Sequence, residues 1–149
     1  MHASVTVKAW RLSLAIALLA LVGVADSALA LHHHYAKSKS AYCDFGENFN
    51  CDIVNRSSYS VVAGVPVALI GIIGYATMLA LSTFYRSKAE TPAMLTIASA
   101  GGLAFALYLT YIEGFVLSAW CILCLTSLTA MVAITALSAA WLVHSIRNP

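Results

Sequence analysis

The stretch "AWCILCLTSL" (residues 119–128) puts Cys121 and Cys124 three positions apart at the start of a long apolar run. No charged residue interrupts the chain from Gly114 to Val143. A hydrocarbon layer of about 30 Å takes about 20 helical residues to cross, so this run exceeds one span. The expected helix therefore covers 119–143, starting near Ala119 or Trp120, with Gly114–Ser118 in a tight turn. Residues i and i+3 share a helix face, which lets the two sulfurs meet. The first turn also feels the positive end of the helix dipole, which favours thiolate. Thiolate is the attacking species in disulfide exchange. The stretch thus predicts a reactive dithiol where a membrane helix begins.

Composition supports a membrane setting. The 149 residues are 61% hydrophobic and 9% charged. A soluble domain carries about 25% charged residues, so an ordinary soluble fold is excluded. The formal net charge of +2 is too small to suggest a nucleic-acid partner. The length suits one domain spanning 1–149. Two further uncharged runs, Ala63–Tyr85 and Pro92–Ile112, read as spans of about 63–85 and 92–113. A first span, about 10–31, contains Asp26 near one end. A rival reading takes Lys8, Arg11, "LSLAIALLALVGVA" and "ALA" (28–30) as a cleavable secretory signal. Apolar character continuing through Leu31 favours a retained span.

The expected architecture is an all-α, four-span bundle with a polar loop from about His32 to Val62. Lys8, Arg11, Arg86, Lys88 and Arg147 then fall on one side, and Lys37, Lys39 and Arg56 on the other. The excess of basic residues marks the first side as cytoplasmic, with both termini there. All four cysteines lie at the opposite, oxidising side. Gly64, Gly71, Gly74, Gly101 and Gly102 read as general helix-packing positions. Glu113, near the outer end of the third span, reads as an interfacial charge.

Cys43 and Cys51 occupy the polar loop, in "YCDFGENFNCDIVNRSS" (42–58). Gly46, Asn48 and Asn50 are turn formers, so a mobile loop can bring the two sulfurs together. Asp44, Glu47 and Asp52 flank this pair, and nearby negative charge disfavours thiolate there. The contrast between the pairs suggests a relay. The loop pair exchanges with a substrate outside, and the membrane pair passes two electrons to an acceptor in the bilayer. A lipid-soluble quinone (ubiquinone, menaquinone or similar) is the acceptor that this location suggests. A non-enzymatic alternative joins the cysteines with His32, His33 and His34 as zinc or copper(I) ligands. Adjacent histidines converge poorly on one ion, and the preferred reading is a polar cluster ending the first span, with no metal.

Three stretches carry a resemblance to a known family: "CDFGENFNC" followed by "RSSYS", "GVPVALIGIIGY" (64–75), and "YIEGFVLSAWCILCLTS" (111–127). The chain resembles the vitamin K epoxide reductase family, especially its bacterial members. The disulfide bond protein B family does similar chemistry but has its two cysteine pairs in the reverse order. The resemblance implies a four-helix membrane bundle around a quinone, in the bacterial inner membrane with its cysteines periplasmic. By position, Cys121 and Cys124 are the active-site pair, with Cys124 facing the quinone. Cys51 exchanges with Cys121, and Cys43 takes electrons from the substrate. Ser57 matches a Ser/Thr position in the loop, and it also suits a helix-capping or turn hydroxyl.

Two features depart from the family pattern. Val67 and Leu128 stand where vertebrate members contact the vitamin K ring with an asparagine and a tyrosine. Neither side chain can hydrogen-bond a quinone or epoxide oxygen. The chain also ends at Pro149, without the thioredoxin-like domain fused in many bacterial members, which implies a separate thioredoxin-like partner. The expected activity is oxidation of that partner with reduction of a membrane quinone. Reduction of vitamin K quinone or its epoxide is the alternative.

Overall fold

A computed structural model describes residues 2–36 and 43–148. The expectations for Lys37 and Lys39 fall outside these residues. Helix α1 (His2–Tyr35) runs past Leu31, where the first span was expected to stop, and includes all three histidines in its last turn. Strand β1 (Asp44–Phe45) pairs antiparallel with β2 (Phe49–Asn50), with Asp44 opposite Asn50. The expected mobile loop is thus a short hairpin, with Gly46 at φ 71° in its turn. Helix α2 (Cys51–Asn55) follows at once. Asn50 caps it by accepting the Ile53 N–H at 3.1 Å, satisfying a donor that a helix start leaves open.

A 3-10 turn (Ser58–Ser60) leads into a second hairpin, β3 (Val61–Val62) with β4 (Val65–Pro66). Ala63 and Gly64 both have positive φ, 52° and 82°, as a two-residue hairpin turn with right-handed twist requires. This hairpin takes up residues that were expected in the second span. Helix α3 (Val67–Thr83) accordingly starts at Val67, not Ala63. Helix α4 (Thr91–Tyr111) carries Pro92 in its first turn, where a missing N–H costs nothing.

The expected tight turn at Gly114–Ser118 is instead a π-helical turn, Ile112–Leu117, continuing α4. It stops at Ser118, which is left-handed at φ 50°. The Ser118 and Ala119 N–H groups both fold back on the Glu113 carbonyl. Helix α5 (Ile122–Arg147) begins two or three residues later than expected, because Trp120 and Cys121 are held extended by contacts with the first hairpin.

Helix α1 packs against α3 and α5, and α5 also packs against α4. The core joins Ile16 and Ala20 of α1, Tyr75 and Met78 of α3, Leu95 of α4, and Met131, Ile134 and Trp141 of α5. Neighbouring helices run antiparallel. Gly23 meets Tyr75 and Gly71 meets Ser27 across α1 and α3, while Gly102 meets Met131 across α4 and α5. Lys8, Arg11, Arg86, Lys88 and Arg147 therefore share one end, and the cysteines lie at the other. The helices α1, α4 with its π turn, and α5 are long and apolar enough to cross a membrane. Helix α3 is apolar but has 17 residues. At about 1.5 Å per residue it spans about 25 Å.

In lipid there is little hydrophobic drive between helices, so close fit carries more of the stability. The tightest fit is at Gly23, which was not among the expected packing glycines. A Cβ there would overlap the ring of Tyr75. That ring cannot swing away, because its hydroxyl donates to the Ser127 carbonyl at 2.9 Å and lies 2.8 Å from Ser127 Oγ. Gly74 faces open space. Gly23→Ala is expected to destabilise the detergent-solubilised protein by about 1–3 kcal/mol through overpacking. Gly74→Ala should be neutral, or stabilising by up to about 1 kcal/mol. Denaturant unfolding checks the pair, and equal effects would contradict this packing.

Candidate active site

The two cysteine pairs, 70 residues apart in the chain between Cys51 and Cys121, meet in one buried cluster. Cys43 and Cys51 form a disulfide, and each is 1% exposed. Cys121 and Cys124 are free thiols, and Cys121 is fully buried. Cys43, Cys51, Val54, Ala119 and Cys121 pack together, with Leu117, Leu123 and Cys124 against them.

Backbone pairing holds the disulfide hairpin on the start of α5. The Asn50 N–H donates to the Trp120 carbonyl at 3.0 Å, and the Trp120 N–H donates to the Asn48 carbonyl at 2.8 Å. Asn55 adds a side-chain link. Its Nδ2 donates to the Cys51 carbonyl at 3.0 Å and lies 3.6 Å from Cys121 Sγ. Sequence reasoning missed Asn55. The available signal was its position four residues after Cys51, which puts the two on one helix face.

The histidines hold the opposite side of α2. His33 Nδ1 lies 3.7 Å from Asp52 Oδ1. His34 Nδ1 donates to the Asn55 carbonyl at 2.6 Å and lies 3.3 Å from Ser60 Oγ. Arg56 donates to the Ala36 carbonyl. The polar cluster lies in the last turn of α1, where it was expected to end the first span, and it also fastens α1 to the cysteine-bearing segment. Among the described residues, no three His, Cys, Asp or Glu side chains are grouped to hold a metal ion.

Glu113 is not the interfacial charge it was expected to be. It is 1% exposed, and its Oε2 accepts the Cys121 N–H at 3.1 Å. The π turn carries it there, eight residues before Cys121. It is the last acidic residue in the chain, set in an otherwise uncharged stretch, which was the available signal.

Cys121 caps α5, and Cys124 lies in its first turn. The Cys124 thiol hydrogen-bonds the Cys121 sulfur and is the main cause holding its pKa below the usual thiol value. Burial opposes this, backbone N–H groups at the helix start assist, and the Glu113 charge opposes. At Cys121 the neighbouring thiol contributes more to this lowering than the backbone N–H groups of the helix start.

Cys124 opens on a cleft of about 800 Å³, its open mouth included. All four long helices and residues 54–60 contribute walls. Val67, Ala68, Ala106, Leu109 and Leu123 make it largely apolar, and Asp26, Asn55, Ser57, Ser127 and Glu113 add polar groups. Val67, expected near the quinone, and Ser57, expected in the cap, both line this cleft. Ser57 Oγ also donates to the Val54 carbonyl at 2.8 Å, so the turn-hydroxyl reading holds beside it. Leu128 is not among the lining residues. Ser127, one position earlier, takes that place because the cleft lies on the i+3 side of Cys124.

The vitamin K epoxide reductase family model matches residues 14–139, nearly the whole chain. The chain belongs to the vitamin K epoxide reductase family. As a vitamin K epoxide reductase family member it is an oxidoreductase, and its apolar helices fit a membrane protein. The matched segment contains all four cysteines, Glu113 and the residues of the cleft.

The Cys121 environment can be tested directly. With the loop disulfide intact, ultraviolet thiolate absorbance should give a Cys121 midpoint below that of an ordinary thiol. Cys124→Ala removes the main cause and should raise that midpoint. A midpoint that stays put in the variant would contradict the assigned cause.

Proposed function

We propose that this chain is a membrane thiol oxidoreductase that takes electrons from an extracytoplasmic thioredoxin-like protein and passes them to a membrane quinone, supporting disulfide formation. The observation carrying this reading is the single buried cluster that joins the Cys43–Cys51 disulfide to Cys121, with Cys124 opening on an apolar cleft. A cleft that is mostly apolar with a few polar groups suits a quinone ring, which needs burial and one or two hydrogen bonds.

The order of exchange follows from thiol chemistry. The partner's dithiol attacks the Cys43–Cys51 disulfide through Cys43 and leaves the loop pair reduced. Cys51 then gives up its proton and exchanges with an oxidised Cys121–Cys124 pair at Cys121. Cys124 leaves as thiolate at the cleft and takes up that proton, so the reduced inner pair ends as two thiols. Each transfer passes through a mixed disulfide, so the sulfurs must be neighbours. Two electrons and two protons leave for the quinone, and the Cys121–Cys124 disulfide is restored. Asn55, bonded at both Cys51 and Cys121, aligns the two segments.

In this reading the whole chain is one membrane domain with four spans, and the segment between α1 and α3 caps the bundle. Helix α3 is short but carries no charge, and exposed Phe84 and Tyr85 at its end suit a membrane interface. In this reading the N-terminal span is retained, which the place of Ile16 and Ala20 in the core supports. The basic end faces the cytoplasm, and the cysteines face the oxidising compartment. The membrane is the bacterial inner membrane.

Purified protein, a reduced thioredoxin-like donor and a short-chain benzoquinone should together give quinone reduction. Cys121→Ala and Cys124→Ala should abolish it with any thiol donor. Cys43→Ala should impair the protein donor more than a small dithiol that reaches the inner pair directly. Wild-type turnover in all of these variants would defeat the relay. Robust turnover with vitamin K epoxide in place of the quinone would favour the epoxide reductase alternative.

A further inference from the structure

Glu113 is placed for more than holding a backbone group. It is 1% exposed, lines the cleft with Cys124, and comes from the only acidic position in the matched segment after Glu90. One oxygen, Oε2, accepts the Cys121 N–H. The other, Oε1, is buried with no hydrogen-bond partner among the described residues. The carboxyl lies beside the Cys124 thiol. A carboxylate offers about four acceptor sites, and leaving a buried one unused is costly. A purely structural acceptor for one N–H needs only one oxygen, and an amide would serve without a buried acid. Glu113 lines the same cleft as Cys124, which is where the proposed function puts the acceptor of the Cys124 electrons.

We propose that Glu113 carries protons from the inner cysteine pair to the quinone. This rests on the quinone-reduction reading above. The reduced pair holds two thiols. Glu113 carboxylate takes the Cys124 proton, and the resulting acid gives it to a quinone oxygen. The regenerated carboxylate passes on the proton released from Cys121 in the same way. The two sulfurs lose two electrons and form the Cys121–Cys124 bond, while the quinone gains two electrons and two protons as hydroquinone. No proton or electron is left over, and no further reactant is needed. Other titratable groups line the same cleft, namely Asp26 and His34 from α1, Tyr59 from the 3-10 turn, and Cys124 itself, with Cys121 packed behind Cys124. Among these described titratable groups, Glu113 is the one that contacts both cysteines of the pair.

The test uses the full chain in detergent, pre-reduced with a small dithiol and mixed rapidly with a short-chain benzoquinone. Glu113→Gln keeps an oxygen for the Cys121 N–H but cannot carry a proton. It should slow quinone reduction about 100-fold or more, the usual scale for loss of an acid–base group. It should also remove the limb of the pH–rate profile that Glu113 supplies, and slow thiol exchange between the loop pair and Cys121 far less. Glu113→Asp, which still titrates, should recover that limb and part of the rate. Asp26→Asn should leave the limb in place. An E113Q rate equal to wild type overturns the proposal, as does equal slowing of quinone reduction and thiol exchange. A wild-type chain that reduces no quinone overturns the parent reading, whereas wild-type turnover with an unaffected E113Q overturns only this role.

Discussion

The backbone pairing between the first hairpin and Trp120 is the contact on which the site depends. Two N–H···O=C bonds, Asn50 to Trp120 and Trp120 to Asn48, splice a strand from the polar segment onto the entrance of α5. Each is worth only about 1 kcal/mol net. Their larger effect is geometric. They keep Trp120 and Cys121 extended, delay the start of α5, and bury the Cys43–Cys51 disulfide against Cys121. Without this splice the N–H groups around Trp120 would sit unpaired near lipid, where no water satisfies them.

The same splice shapes the approach from the other side. Because α5 starts late, α4 has to be extended by a π turn, and that turn delivers Glu113 beneath the Cys121 N–H. From α1, His33 and His34 reach α2 and fix its far face. Three separate stretches, 33–36, 48–56 and 112–121, therefore converge on one disulfide and one thiol. Cys124, one turn further in, is left facing the cleft. This division fits a two-stage path, with the polar segment handling exchange between proteins and the inner helix turn facing the lipid-soluble acceptor.

The helical architecture was legible in the sequence because uncharged runs of about 20 residues have few other uses. The cysteine pattern was legible because two pairs in that order are distinctive. Helix boundaries were less so. Nothing in "VVAGVPV" (61–67) separates a hairpin from the start of a span until Ala63 is seen in the left-handed region. Glu113 was misread because a charge near a span end is usually interfacial, and only the π turn rotates it inward. The fastening role of the histidines and of Asn55 was not legible for a related reason. Their partners lie about 20 residues away in the chain, or 66 in the case of Asn55 and Cys121, beyond any local periodicity. Leu128 and Ser127 differ by 100° around α5, a distinction spacing from Cys124 does not resolve, since i+3 and i+4 share its face.

The central claim is that Cys51 and Cys121 are exchange partners across this splice. The most direct measurement is mass spectrometric mapping of the double variant Cys43→Ala, Cys124→Ala, purified under mild oxidation. Each pair then lacks its internal partner, and the expected product is a Cys51–Cys121 disulfide within one chain. Two free thiols, or bonds formed only between separate chains, would contradict it.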